Sequence, residues 1–140
     1  GRVALRSKKE PLTADTTFYI ADTLGELGLF YRLSELVLMG GSLVRHGGQN
    51  PLEAAFLNCA IVSGPNTHNF SDIYREMAAE NACVVLKDAR EMAAQIDSLL
   101  NNAGKRNALG KNARQFVDMR QGAADKLIAA LMPVFAMAVQ

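Results

Sequence analysis

Short apolar runs and helical stretches alternate along this chain, and the alternation constrains the fold more than any other feature. The runs are rich in β-branched and aromatic residues and predict strands over residues 17–21, 36–39, 60–63 and 83–86. The periodicity between and after them predicts helices over residues 24–33, 51–57, 70–80, 89–100, 105–120 and 123–137, with Gly122 separating the last two. Strands that alternate with helices are joined by crossover connections, so we predict an α/β fold with a doubly wound parallel sheet.

The size and charge of the chain exclude several classes of protein. Its 140 residues suffice for one domain, which we predict over residues 1–140, and a formal net charge of +1 gives no basic field for nucleic acid. The longest apolar run, residues 127–139, has 13 residues including Pro133 and is too short to span a bilayer. Cys59 and Cys83 have apolar neighbours, so we expect buried thiols in a soluble intracellular domain.

Glycines are concentrated in the middle of the chain. Residues 11–86 hold seven of the eleven glycines, and their three positive and eight negative side chains sum to −5. Doubly wound sheets bind ligands beyond the carboxyl ends of their strands. Three glycine-containing loops connect a predicted strand to the next helix there: residues 21–25, 40–50 and 64–69. We predict that these loops converge on a ligand site, where Gly47 and Gly48 let a phosphate approach the next helix.

Three pairs of residues have the spacing of helix caps. They are Thr23 with Glu26, Asn50 with Glu53, and Asp88 with Glu91. Capping alone accounts for the third pair, and we predict no function there. For Glu26 and Glu53 two interpretations stay open, because a carboxylate at this place can cap a helix or accept hydrogen bonds from ribose hydroxyls.

The spacing of chemically active side chains predicts neither a metal site nor a catalytic group on this chain. His46 and His68 lie in predicted loops without the HxxxH or HxH spacing of metal ligands. The phosphate-loop, dinucleotide-binding and serine-hydrolase motifs do not occur in the sequence. We therefore predict no metal and no cofactor.

Three motifs nevertheless carry a specific resemblance. Residues 22–31 read DTLGELGLFY, residues 40–53 read GGSLVRHGGQNPLE and residues 64–70 read GPNTHNF. In this order and spacing they resemble the bacterial 3-deoxy-D-manno-octulosonic acid (Kdo) transferases. The resemblance implies the C-terminal Rossmann-like half of a GT-B glycosyltransferase. Such an enzyme transfers Kdo from CMP-Kdo to a lipid A precursor in lipopolysaccharide synthesis, at the cytoplasmic face of the inner membrane.

The resemblance also implies which residues hold the donor nucleotide. The implied CMP contacts are Leu24, Gly25, Glu26, Asn50, Pro51, Leu52 and Glu53. The membrane anchor, the acceptor surface, the catalytic base and the first strand of the Rossmann-like domain are implied to lie upstream. We therefore expect this part alone to be inactive and to contact the membrane only through the other half. Gln49 and residues 56–60 depart from the family pattern without falling on an implied contact.

Two other functions remain open at this point. The chain could belong to a GT-B transferase for a UDP-sugar, or to a non-catalytic α/β binding module. Preference for UMP or UDP over CMP would select the first, and a folded chain that ignores every nucleotide would select the second. We further expect self-association through residues 123–137, where Leu127, Leu131 and Phe135 form an apolar stripe.

Overall fold

The computed structural model describes the backbone of residues 1–138 and the side chains of residues 1–129. The strands are β1 (Arg2–Leu5), β2 (Thr16–Ile20), β3 (Leu36–Leu38), β4 (Ala60–Ser63) and β5 (Val84–Val85). The helices are α1 (Leu27–Leu33), α2 (Leu52–Phe56), α3 (Ser71–Ala79), α4 (Ala89–Leu100) and α5 (Ala103–Ala138), and a 3-10 turn covers His68–Phe70.

All strand pairs among the described residues are parallel. β1 pairs with β2, and β3, β4 and β5 form a second sheet in that order. In the second sheet Leu36 lies opposite Ala60, and Val62 lies opposite Val84. All four residues of β4 are buried, as expected for a central strand covered on both faces.

The core lies on both faces of β4, because successive side chains of a strand point to opposite sides. Ile61 belongs to a cluster with Tyr74 of α3 and Phe116 of α5. Ala60 and Val62 belong to a second cluster, whose other members are Met92, Leu99 and Leu109 from α4 and α5. Helices on both faces of a parallel sheet confirm the predicted doubly wound α/β class.

The largest difference from the predicted elements is at the C-terminal end. α5 is one helix through Gly122, whereas the sequence predicted two helices that this glycine separates. A glycine inside a helix costs about 1 kcal/mol relative to alanine, which a long helix absorbs. The prediction also missed β1, and it began α1 too early, because the chain becomes helical only at Leu27.

The two cysteines have the predicted environment. Cys59 and Cys83 are free and buried. Burial raises the pKa of the Cys83 thiol to about 12 and raises that of Cys59 as well. Within the described residues, every helix is too short or too polar to cross a membrane.

Candidate functional site

A cleft of about 480 Å³ opens at the carboxyl end of β3, between α1 and α2. We call it the Glu53 cleft. Its walls are Leu27, Tyr31, Val37, Leu38, Met39, Gly40, Gln49, Asn50 and Glu53. The apolar part of this set could cover a flat ring, and the polar part could bind hydroxyl or amide groups.

The start of α2 positions the polar wall of the Glu53 cleft. Asn50 Oδ1 accepts a hydrogen bond from the Leu52 backbone N–H at 3.0 Å, but Asn50 does not occupy the predicted cap position, and α2 has no side-chain cap. The helix begins one residue later than predicted, with Pro51 buried at its cap position. Glu53 is exposed in the first turn, and no described residue forms a hydrogen bond or an ion pair with its carboxylate. That carboxylate is free to accept hydrogen bonds from a ligand.

Hydrogen bonds through Ser42 join the loops that follow β3 and β4. The buried Ser42 hydroxyl donates to the Met39 carbonyl at 2.6 Å and accepts from the Gly64 N–H at 2.8 Å. The Tyr74 hydroxyl donates to the Gln49 carbonyl at 2.8 Å, which ties the end of the first loop to α3. Two of the three predicted loops, 40–50 and 64–69, therefore converge as one fixed unit beside the Glu53 cleft.

The glycine pair of this loop is required by its backbone conformation and by its close neighbours. Gly47 and Gly48 are buried at φ of +100° and +72°, a region that favours glycine. A Cβ on Gly47 would lie 2.3 Å from the Asn69 side chain, and one on Gly48 would lie 3.2 Å from the Asn66 carbonyl oxygen. The loop that follows β4 fills the space on the Cβ side of both glycines, and the approach of a phosphate to their backbone stays a prediction. Gly40, which lines the cleft, has nothing within 4 Å of its Cβ position.

A second cleft of about 410 Å³ lies at the carboxyl ends of β1 and β2. We call it the Arg6 cleft. Its walls are Arg6, Ser7, Lys9, Glu10, Tyr19, Thr23 and Glu26. The Arg6 guanidinium and the Thr23 hydroxyl both bond to Glu26 and hold the pKa of its carboxyl near 2. The predicted cap at Thr23 is wrong, because its hydroxyl donates to the Glu26 carboxylate at 2.5 Å and α1 has no side-chain cap.

Three of the seven implied CMP contacts line these two clefts. Asn50 and Glu53 line the Glu53 cleft, and Glu26 lines the Arg6 cleft. The neighbouring Leu27 lines the Glu53 cleft, so the two clefts flank the first residue of α1. The remaining members do not line either cleft: Leu24 is fully exposed, Gly25 has an open Cβ position, Pro51 is buried and Leu52 is half-buried. The loop of residues 21–25 therefore does not meet the other two predicted loops in one cleft. It adjoins the Arg6 cleft, which lies next to the Glu53 cleft at the start of α1.

Sequence reasoning missed three residues that line the clefts. Arg6 bonds to Glu26 across 20 residues of sequence, a separation that carries no local signal. Tyr31 has the spacing of an ordinary core residue. Gln49 is not among the CMP contacts that the family resemblance implies. His46 and His68 are exposed, and within the described part of the chain no three His, Cys, Asp or Glu side chains cluster as metal ligands would.

The Arg6–Glu26 pair should make stability depend weakly on pH, because solvent screens two side chains that are 38% and 29% exposed. The Glu26 carboxyl has an ordinary pKa of 4.5 and a pKa of about 2 in the fold. A lowered pKa stabilises the fold fully above the ordinary value, and the contribution is lost as the pH falls towards 2. We expect Glu26→Gln to lose less stability than the wild type between pH 4.5 and 2. Urea unfolding at several pH values in this range measures the free energy of unfolding of both proteins. If that free energy changed with pH equally in both, the ion pair would not be the cause.

Comparison with known proteins identifies the family of this fold. A family model described as glycosyl transferases group 1 matches residues 2–116. A 3-deoxy-D-manno-octulosonic acid transferase of Haemophilus influenzae is 33% identical over 129 residues, which cover 91% of this chain and 30% of that protein. A probable mitochondrial enzyme of the same name from Arabidopsis thaliana is 36% identical over 104 residues, which cover 71% of this chain and 23% of that protein. The chain thus spans less than a third of the length of these relatives.

One solved structure is similar over most of the described fold. It is the crystal structure of the C-terminal CMP-Kdo binding domain of WaaA from Acinetobacter baumannii. The TM-score is 0.76 at 35% sequence identity, and the match covers 81% of this chain and 59% of that one. The family model covers well over half of this chain and includes every strand and both clefts. The chain therefore belongs to the glycosyl transferases group 1 family.

Proposed function

We propose that this chain is the donor-nucleotide domain of a Kdo transferase and that it binds the CMP moiety of CMP-Kdo. The observation that carries the proposal is its similarity to the CMP-Kdo binding domain of WaaA, at a TM-score of 0.76 and 35% identity. The unbonded Glu53 carboxylate in a cleft of about 480 Å³ is consistent with a nucleotide ligand. In the whole protein, the reaction would transfer Kdo to a lipid A precursor in lipopolysaccharide synthesis.

In this proposal the chain holds the leaving group of the reaction. The bond between the sugar and CMP breaks while the acceptor hydroxyl attacks the sugar, and a base elsewhere in the protein takes the hydroxyl proton. Glu53 accepts hydrogen bonds from the nucleotide, and the Asn50 amide, oriented by its bond to Leu52, adds a donor at the same wall. Groups fixed before reaction stabilise a departing phosphate without reorganisation. We assign no metal a role in holding CMP.

The order of the strands in the two sheets suggests a place for a further strand of the whole protein. Doubly wound sheets of the Rossmann type have the strand order 3-2-1-4-5-6. The pair β2-β1 corresponds to the first two places and β3-β4-β5 to the last three, which leaves one place between β1 and β3. We propose that the upstream first strand implied by the family resemblance occupies this place and pairs with both sheets.

The proposed location is the cytoplasmic face of the bacterial inner membrane, with membrane contact through the rest of the protein.

We also propose that residues 123–137 mediate self-association of this chain. Leu127 and Ile128 are each 60% exposed on α5, whereas Leu131 and Phe135 lie outside the side chains that the structure describes. An apolar helix face of this kind favours association. Sedimentation equilibrium should show dimers at high concentration, and a monomer throughout would contradict this role.

Calorimetric titration with CMP, UMP and UDP tests the proposed donor. We expect CMP to bind most tightly, with an affinity that EDTA does not change. Tighter binding of UMP or UDP would favour a transferase for a UDP-sugar. A folded chain that binds none of the three would favour a non-catalytic α/β module.

A further inference from the structure

Arg6, which the sequence did not predict as a site residue, makes a two-bond contact with the predicted site residue Glu26. The Arg6 backbone N–H donates to the Ile20 carbonyl at 2.9 Å, which fixes the chain just after β1 beside the end of β2. From there its guanidinium reaches Glu26 with two hydrogen bonds, Nε to Oε2 at 3.0 Å and Nη2 to Oε1 at 2.6 Å. Two parallel bonds fix the plane of a carboxylate as well as its distance.

This contact holds the start of α1 against the first sheet. Glu26 is the residue directly before α1, and that helix has no side-chain cap of its own. The Tyr19 and Phe30 rings, 6.1 Å apart, link the same two elements further along. Because Glu26 lines the Arg6 cleft and Leu27 lines the Glu53 cleft, a shift at Glu26 would change both clefts.

Stability alone is a weak reason for such a pair. The side chains of Arg6 and Glu26 are 38% and 29% exposed, and ion pairs in contact with solvent contribute little to folding. The pair instead lines a cleft of about 410 Å³, where its orientation is available to a ligand. Oε2 of Glu26 accepts from both Arg6 Nε and the Thr23 hydroxyl, whereas Oε1 accepts only from Arg6 Nη2 and keeps acceptor capacity for a ligand.

We propose that Arg6 is a positioning residue of the donor site, which orients the Glu26 carboxylate and fixes the start of α1 between the two clefts. The inference rests on the proposed function, since it assigns to Glu26 a hydrogen bond to the bound nucleotide. Arg6 acts through Glu26, so the geometry of the pair matters as well as its charge. Lysine supplies the charge without the planar fork and should replace arginine only in part.

The test compares Arg6→Met, Arg6→Lys and the exchanged pair Arg6→Glu with Glu26→Arg. We expect Arg6→Met to weaken CMP binding about tenfold, because a misplaced carboxylate loses its bond to the ligand. Arg6→Lys should recover part of the affinity. The exchanged pair should recover the thermal midpoint but not CMP binding, because the carboxylate has moved to position 6. Arg120→Met is the matched control, since Arg120 is 40% exposed and pairs with Glu76 and Glu80 away from both clefts.

Each outcome decides between the inference and the proposed function. If the wild type binds CMP and Arg6→Met binds it equally well, the inference is overturned and the proposed function stays intact. Recovery of CMP binding by the exchanged pair also overturns the inference, because the pair would then be structural only. A folded wild type that binds no CMP overturns the proposed function, and the inference fails with it.

Discussion

Glu53→Gln should weaken CMP binding by at least tenfold and leave the fold almost unchanged. The Glu53 carboxylate lines the 480 Å³ cleft, and none of the residues that the structure describes bonds to it. Its contribution to folding is limited to a charge near the start of α2, worth about 0.3–1 kcal/mol. A hydrogen bond between a charged group and a ligand contributes about 1.5–3 kcal/mol, which corresponds to roughly ten- to a hundredfold in affinity. Calorimetry and thermal unfolding of the same samples measure the two effects.

Glu91→Gln is the matched control for this substitution. Glu91 also lies in the first turn of a helix, but its Oε2 accepts a hydrogen bond from the Lys87 N–H at 3.0 Å, and Asp88 caps the same helix. We expect Glu91→Gln to lower the thermal midpoint slightly and to leave CMP binding unchanged. If Glu53→Gln lost stability and affinity in equal measure, Glu53 would have a capping role only.

Gly110→Ala should destabilise the fold, because the added methyl group has no space. Gly110 is a buried residue of α5, and a Cβ there would lie 2.2 Å from the Asn58 carbonyl oxygen. Asn58 itself has φ of +61°, in the turn between α2 and β4, so neither backbone can move without shifting the central strand. Overpacking of this kind costs about 1–3 kcal/mol and lowers the thermal midpoint by roughly 3–10 °C.

Gly122→Ala separates this effect from helix propensity. Gly122 belongs to the same helix, and nothing lies within 4 Å of its Cβ position. Alanine should therefore leave the midpoint unchanged or raise it, since the propensity gain is at most about 1 kcal/mol. Equal midpoints for the two variants would show that α5 does not pack on Asn58 as described.

Local sequence patterns were sufficient for the elements around the central strand. β4 at Ala60–Ser63 and α4 at Ala89–Leu100 have the predicted bounds, because each combines a clear apolar pattern with end signals such as Asp88. β1 was missed because four residues beside several charges give too short a pattern. Gly122 was read as a break, although glycine in an open position only weakens a helix.

The site was predictable where its chemistry is local in sequence. The spacing of a cap and a first-turn carboxylate drew attention to Asn50 and Glu53, the resemblance implied that they contact CMP, and the structure places both in the wall of one cleft. Arg6 was missed because its partner Glu26 is 20 residues away, and only the fold brings them together. The packing of Gly47 was not predicted for a similar reason, since the Asn69 side chain beside it comes from a distant loop.

A nitrogen–proton correlation NMR titration of this chain with CMP tests the central claim most directly, with AMP as the control nucleotide. The account predicts shifts at residues 24–27 and 49–53, on both sides of the start of α1, that are larger for CMP than for AMP. A well-dispersed spectrum that millimolar CMP leaves unchanged would contradict it. Shifts confined to α4 and the far face of α5 would contradict it as well, because those residues line neither cleft.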